Sequence, residues 1–202
     1  MRRILFYALL IRLMKKQKVI EKKLDHWLES VSRPAAKLHI VLALIYAVYI
    51  VLSDAWNLIT PFAAKQRWLA LFVVTSVYIL AWFYSSKPNR DHGHHRRVIW
   101  ALITADLALA TFSIYTQRGM SSRAVILFTL PIVVSSLLLK KFSILVTTLC
   151  TIALYILSAW WYFHTHFNEG YKAELAIEVG FYCVFFLILA EVLWLLIKPK
   201  KS

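Results

Sequence analysis

The chain has 202 residues, of which 60% are hydrophobic and only 17% charged, and its formal net charge is +14. With a mean hydropathy of +0.64, it is too apolar and too sparsely charged for an ordinary soluble domain, in which about half the residues are apolar and about a quarter charged. Long apolar runs separated by short polar segments match α-helices that cross about 30 Å of hydrocarbon, and the runs lack the strict alternation of membrane β-strands.

The start, "MRRILFYALLIRLMKK", has the charged beginning and short apolar stretch of a signal peptide. It continues into Arg12, Lys15 and Lys16 without a small-residue cleavage site, so it is not read as one. Residues 19–31 place Val19, Ile20, Leu24, Trp27, Leu28 and Val31 at helical spacing, with Lys22, Lys23, Asp25 and Glu29 between them. This pattern predicts an amphipathic helix on the inner membrane surface, within a basic cytoplasmic segment 1–37; the alternative use of its apolar face is docking a partner helix. Six spans follow, at 38–58, 67–85, 98–116, 124–139, 142–163 and 174–197, then a cytoplasmic tail 198–202. The expected fold class is therefore all-α, a six-helix membrane bundle preceded by an amphipathic helix. The fourth span is short and contains Pro131. Trp56, Trp68 and the Trp160–Phe163 run mark span ends, where interfacial aromatics collect.

Lysine and arginine set the orientation. The segment 1–37 holds ten, loop 86–97 four, the Lys140–Lys141 pair two and the tail three. The three intervening loops hold two, two and one. With six spans, one side carries 19 positive residues and the other 5. Cytoplasmic loops are enriched in Lys and Arg, so both termini are placed in the cytoplasm. Attraction to anionic headgroups then accounts for the basicity, and nucleic acid is not an expected partner.

Two loops carry histidine clusters. Between spans two and three lies "DHGHHRR", from Asp91 to Arg97. His92, His94 and His95 are weak metal-ligand candidates: their spacing is too tight for a structural zinc site, and Arg96 and Arg97 repel a cation, so a solvated turn anchored to headgroups is expected. After span five come His164, His166, Glu169 and Glu174, a weak metal or pH-sensing pattern read mainly as interface residues. Within the spans four acids ask for a reason, because an ionisable group in hydrocarbon is costly. Asp54 and Glu178 lie about 6 Å from the outer boundary, Asp106 about 12 Å and Glu191 about 9 Å from the inner one. Two acidic layers result, with Ser135 and Ser136 of span four placed to hydrogen-bond the inner pair. No Lys or Arg is deep enough to neutralise them. They form either a protonatable core or a set of neutral acids joining helices. Cys150 and Cys183 are expected to pack as small apolar residues.

The stretch 105–158 resembles the multi-pass membrane sensor region at the N-terminus of bacterial sensor histidine kinases. The matching residues are Asp106, Thr116, Gly119, Ser121, Ser122, Ile126, Pro131, Leu137 to Leu139, Lys140 and Lys141. In that pattern an Asp-bearing span leads to an outer "GG-x-x-SP" turn and a short span ending in leucines and basic residues. The chain departs from it with Arg118 at the first glycine and Arg123 at the proline, and it carries no phospho-accepting helix or ATP-binding domain. The resemblance implies a sensory input module in a bacterial inner membrane without kinase activity. Such a module passes a signal through span six to a cytoplasmic partner or acts as a homodimer, and needs no cofactor. The alternative is a small proton- or cation-coupled transporter or channel using Asp106 and Glu191. Only Pro131 breaks a span in the way transporter sites favour. Neither an HExxH, a G-x-S-x-G nor a Gly-rich phosphate loop is present, so an enzyme is not expected.

Overall fold

The computed structural model describes residues 2–55, 60–87, 93–116, 123–165 and 172–197, with side chains described from residue 23 onward except in 56–59, 88–92, 117–123 and 166–175. Among these residues every element is helical: α1 Arg2–Ala55, α2 Pro61–Ser85, α3 His94–Thr116, a 3-10 turn Arg123–Phe128, α4 Thr129–Ser136, α5 Lys141–Thr165 and α6 Lys172–Leu196. Five helices are long and apolar enough to cross a membrane: Lys23–Ala55 within α1, then α2, α3, α5 and Ala176–Leu196 within α6. Even the shortest, 21 residues, spans about 31 Å at about 1.5 Å per residue.

Local chemistry explains the boundaries. Thr60 caps α2, its hydroxyl accepting from the Ala63 amide at 3.3 Å, and Pro61 occupies the first turn. The helix therefore begins before Lys65 and Arg67, which sequence reading leaves in a loop. At the start of the chain, α1 is one helix of 54 residues that passes Pro34 without ending. The basic segment is thus continuous with the first span, where a separate amphipathic helix was expected.

The fourth apolar segment is unlike the others. Proline cannot donate the bond that would continue an α-helix through Leu127, so the α-pattern begins afresh at Thr129 with Pro131 in its first turn. The six-residue 3-10 turn and the eight-residue α4 together rise about 24 Å, because 3-10 winding stretches the chain by about 2.0 Å per residue. Its upper end shares a cavity with Tyr46 and Tyr49 of α1. Beyond its lower end, the Leu137 carbonyl accepts from Trp27 Nε1 at 3.1 Å. Along α1, the residues that line this cavity, Leu42 to Tyr49, lie about 22 to 33 Å from Trp27. A tight turn then reverses the chain into α5, with Leu139 at φ 50° and its amide donating to Ser136 O at 2.9 Å.

α3 is the hub, packing against α1, α2, the 3-10 turn, α4 and α5, while α6 rests on α4 and α5. Two apolar cores result. One joins α1, α2 and α3 through residues such as Ile50, Tyr78, Ile99 and Leu102. The other joins α3 to the second half of the chain through Ile114, Phe128, Ile132, Tyr155 and Phe186. There the rings of Phe128, Tyr155 and Phe186 meet edge to face with centroids 5.8 to 6.1 Å apart, an arrangement favoured by the ring quadrupoles.

Candidate functional site

Along α1, Ser32, His39, Tyr46 and Ser53 recur every seventh residue, and all four are buried. A seven-residue repeat keeps side chains on one helix face, and here that face meets α3. Three polar pairs run along the seam, between the apolar contacts of Ala36, Ala43 and Ile50. Ser32 Oγ lies 2.9 Å from His95 Nδ1, His39 Nε2 3.0 Å from Asp106 Oδ2, and Tyr46 OH 2.7 Å from Ser113 Oγ. At the outer end Arg67 of α2 donates from Nη2 to the Thr116 carbonyl at 2.8 Å and from Nε to the Thr116 hydroxyl at 3.4 Å. A guanidinium beside the last carbonyls of a helix is favourably placed.

The centre of the seam is a three-helix junction. Asp106, 3% exposed, receives the Tyr78 hydroxyl of α2 on Oδ1 at 2.6 Å and meets His39 of α1 through Oδ2. The His39 and Tyr78 rings pack edge to face, centroids 5.1 Å apart. The other ring nitrogen of His39, Nδ1, faces the Ala35 carbonyl at 2.7 Å. A carbonyl oxygen only accepts, so Nδ1 carries a hydrogen. Oδ1 already accepts from Tyr78. The His39–Asp106 contact therefore contains one proton, held either as imidazolium and carboxylate or as imidazole and carboxylic acid. Without it two lone pairs would face each other at 3.0 Å.

The histidine, not a lysine or arginine, is what the acid-centred sequence reading missed. His39 lies at the beginning of the first predicted span, where it looks like an interface residue. The heptad spacing of Ser32, His39, Tyr46 and Ser53 is the signal that would have found it.

The other candidates are placed differently. Glu191, Asp54 and Glu178 are exposed on the bundle surface, so only Asp106 belongs to a buried centre and the two acidic layers do not form. Ser135 and Ser136 turn back on their own helix, donating to the Ile132 and Val133 carbonyls at 2.7 and 2.6 Å; Thr and Ser hydroxyls in helices readily do this. His94 and His95 are not in a solvated turn. Both begin α3 and are buried, His94 with Nε2 at 2.8 Å from the Tyr84 carbonyl and its ring stacked on Tyr84, and His95 against Ser32. Among the described residues no group of three His, Cys, Asp or Glu side chains is arranged to hold a metal ion. His164 is exposed and stacks on Trp160 at 5.6 Å. His92, His166 and Glu169 lie outside the described residues.

Beside the junction is a cavity of about 300 Å³, lined by apolar side chains and by Tyr46, Tyr49 and Tyr78. Tyr78 thus connects the cavity wall to Asp106. Comparison of the chain with protein-family models, with curated proteins and with solved structures finds no match.

Proposed function

We propose that the protein is a non-enzymatic sensory module of a bacterial cytoplasmic membrane, with both termini cytoplasmic, whose input element is the proton held between His39 and Asp106. The proton count of that contact carries the reading. Three helices converge on Asp106, and the contact that ties α1 to α3 changes from attraction to repulsion when its single proton leaves. A bistable pack of this kind is what coupling requires, since a signal shifts an equilibrium only by binding its two states unequally. Tyr78 is the titratable group facing the pair from α2; along the seam the next such groups are Tyr46 on α1 and His95 at the start of α3.

The route for output differs from the one the kinase resemblance implies. α6 packs on α4 and α5, away from Asp106. α1 carries His39 directly and runs without a break to Arg2, so a shift of α1 against α3 reaches the basic N-terminal segment and any cytoplasmic partner there. On this reading the 3-10 turn and α4 form the sixth crossing. Support comes from the hydrogen bond that ties Leu137, just beyond its lower end, to Trp27 of α1 and from the charge distribution that six crossings produce.

The test uses the whole chain in liposomes. Spin labels at Val41 on α1 and Thr104 on α3, both exposed, report the distance between the helices from about pH 5 to about pH 9, a range that brackets the ordinary histidine value. The distance changes with pH in the wild type and is constant in Asp106→Asn. A wild-type distance independent of pH overturns the proposal. Proton or cation flux that Asp106→Asn abolishes establishes the transporter reading instead.

A further inference from the structure

α5 buries a face made largely of hydroxyls. Six of its eight buried residues bear one: Ser143, Thr147, Thr148, Thr151, Tyr155 and Ser158. That face enters the second core, whose other members, among them Ile114, Phe128, Ile132 and Phe186, are apolar.

Three of these hydroxyls depart from what a membrane helix does with such groups. A Thr or Ser hydroxyl in a helix ordinarily bonds a carbonyl one turn back. Thr148 does so, donating to the Ile144 carbonyl at 2.8 Å, as do Thr104 and Thr111 of α3 at 2.9 and 2.7 Å. Thr147 Oγ1, Thr151 Oγ1 and the Tyr155 hydroxyl are buried with no hydrogen-bond partner among the described residues. Thr147 is 1% and Thr151 0% exposed. Thr151 stands near the middle of α5, about 15 Å from Lys141 and about 21 Å from Thr165, and α3, α4 and α6 pack around that helix. A hydroxyl enclosed by apolar groups without a partner is costly, and native folds answer such groups with ordered water.

We infer that the second core holds a short file of bound water along α5, one molecule bridging Thr147 and Thr151 and another bridging Thr151 and Tyr155. The spacing fits. Side chains four residues apart on a helix have Cβ atoms about 5 to 6 Å apart, which is two hydrogen bonds of about 2.8 Å end to end. Helical side chains lean toward the N-terminus, so the Tyr155 ring carries its hydroxyl back toward Thr151. The short side chains of Thr147 and Thr151, with Ala190 of α6 in the same core, supply the room. Ser143, buried one turn before Thr147, continues the line toward the Lys141 end, and the edge-to-face rings of Phe128, Tyr155 and Phe186 close it at the other. Water is the occupant because the three hydroxyls are neutral, each both donates and accepts, and successive groups leave a gap of one molecule. The inference does not rest on the proton between His39 and Asp106.

The experiment is water-edited solid-state NMR of the full chain in liposomes, with threonine labelled and magnetisation passed from water to each side chain. Thr148 is the internal control, since it is adjacent, equally buried and already bonded to its own helix. A bridging water lies about 2.8 Å from the Thr147 and Thr151 oxygens, so transfer to these two is expected to build up at least about threefold faster than to Thr148. Thr151→Val keeps the shape of the side chain and removes the hydroxyl shared by both waters. It is expected to bring Thr147 down to the Thr148 rate, with helicity unchanged, while Thr151→Ser retains the fast transfer. Equal rates at the three threonines of the wild type, or a Thr147 rate unchanged in Thr151→Val, each overturns the inference.

Discussion

Replacing Asp106 separates its role as a hydrogen-bond hub from its role as an ionisable group. In Asp106→Asn the remaining oxygen still accepts from Tyr78, and the new NH₂ donates to Nε2 of neutral His39. Both partners stay satisfied. The change exchanges bonds to a charged group, worth about 1.5 to 3 kcal/mol, for neutral ones worth about 0.5 to 1.5, so a loss of about 1 kcal/mol is expected. Asp106→Ala removes both bonds and leaves the Tyr78 hydroxyl and His39 Nε2 buried and unpartnered. On the soluble-protein scale each orphan costs about 1 to 3 kcal/mol; membrane double-mutant cycles give about 0.6 per interhelical bond and no more than about 1.7. The lower scale fits a site between membrane helices, and together with the space left by the carboxyl it places the alanine loss near 2 to 3 kcal/mol. Unfolding in mixed micelles, followed by helicity and by Trp fluorescence, measures both variants. The order is the discriminating result: alanine well below asparagine, with Tyr78→Phe and Asp106→Ala non-additive because they share a bond. Equal losses for the two Asp106 variants, or additivity with Tyr78→Phe, would refute the junction as described.

The proton count also sets a pH profile. Apart from each other, an aspartate and a histidine carry one proton between them from about pH 4 to about pH 6.5, as the native contact does, so stability is flat there. Above that window the separated pair carries none, folding takes up a proton, and stability falls as pH rises; below it, folding releases one, and stability falls as pH falls. Asp106→Asn is expected to lose the alkaline arm, which chemical unfolding at a series of pH values reads directly. In the second core the Tyr155 hydroxyl is buried with no hydrogen-bond partner among the described residues, so Tyr155→Phe is expected to be neutral or to stabilise by up to about 1 kcal/mol. Phe128→Ala, which empties a fully buried site, is expected to cost about 3 kcal/mol or more. Leu139 holds a left-handed backbone conformation at φ 50°, which costs an L-residue about 1 to 2 kcal/mol. Part of that is recovered in Leu139→Gly, and a thermal unfolding midpoint raised by a few degrees is the expected reading.

The apolar runs by themselves determined the helical class and the approximate position of the five long apolar helices, because a bilayer demands long stretches that satisfy their own backbone and tolerate few charges. They also marked Asp106 as an anomaly, since an acid in hydrocarbon is visible from composition alone. Pro131 signalled a short, irregular segment, which became a 3-10 turn leading into α4. Partners were another matter. His39 and Asp106 are far apart in the chain, and which of four intramembrane acids is buried depends on how each helix is rotated about its axis. That rotation follows from packing over the whole bundle, where α3 is enclosed by its neighbours and α6 is not. Hence Asp106 faces two helices while Glu191, equally apolar in its sequence neighbourhood, faces outward. Likewise His94 and His95 looked like a solvated loop because their neighbours are charged, yet the first turn of α3 points them at Ser32 and Tyr84. Hydropathy reports how much of a segment leaves water; only tertiary contacts decide which atoms then meet.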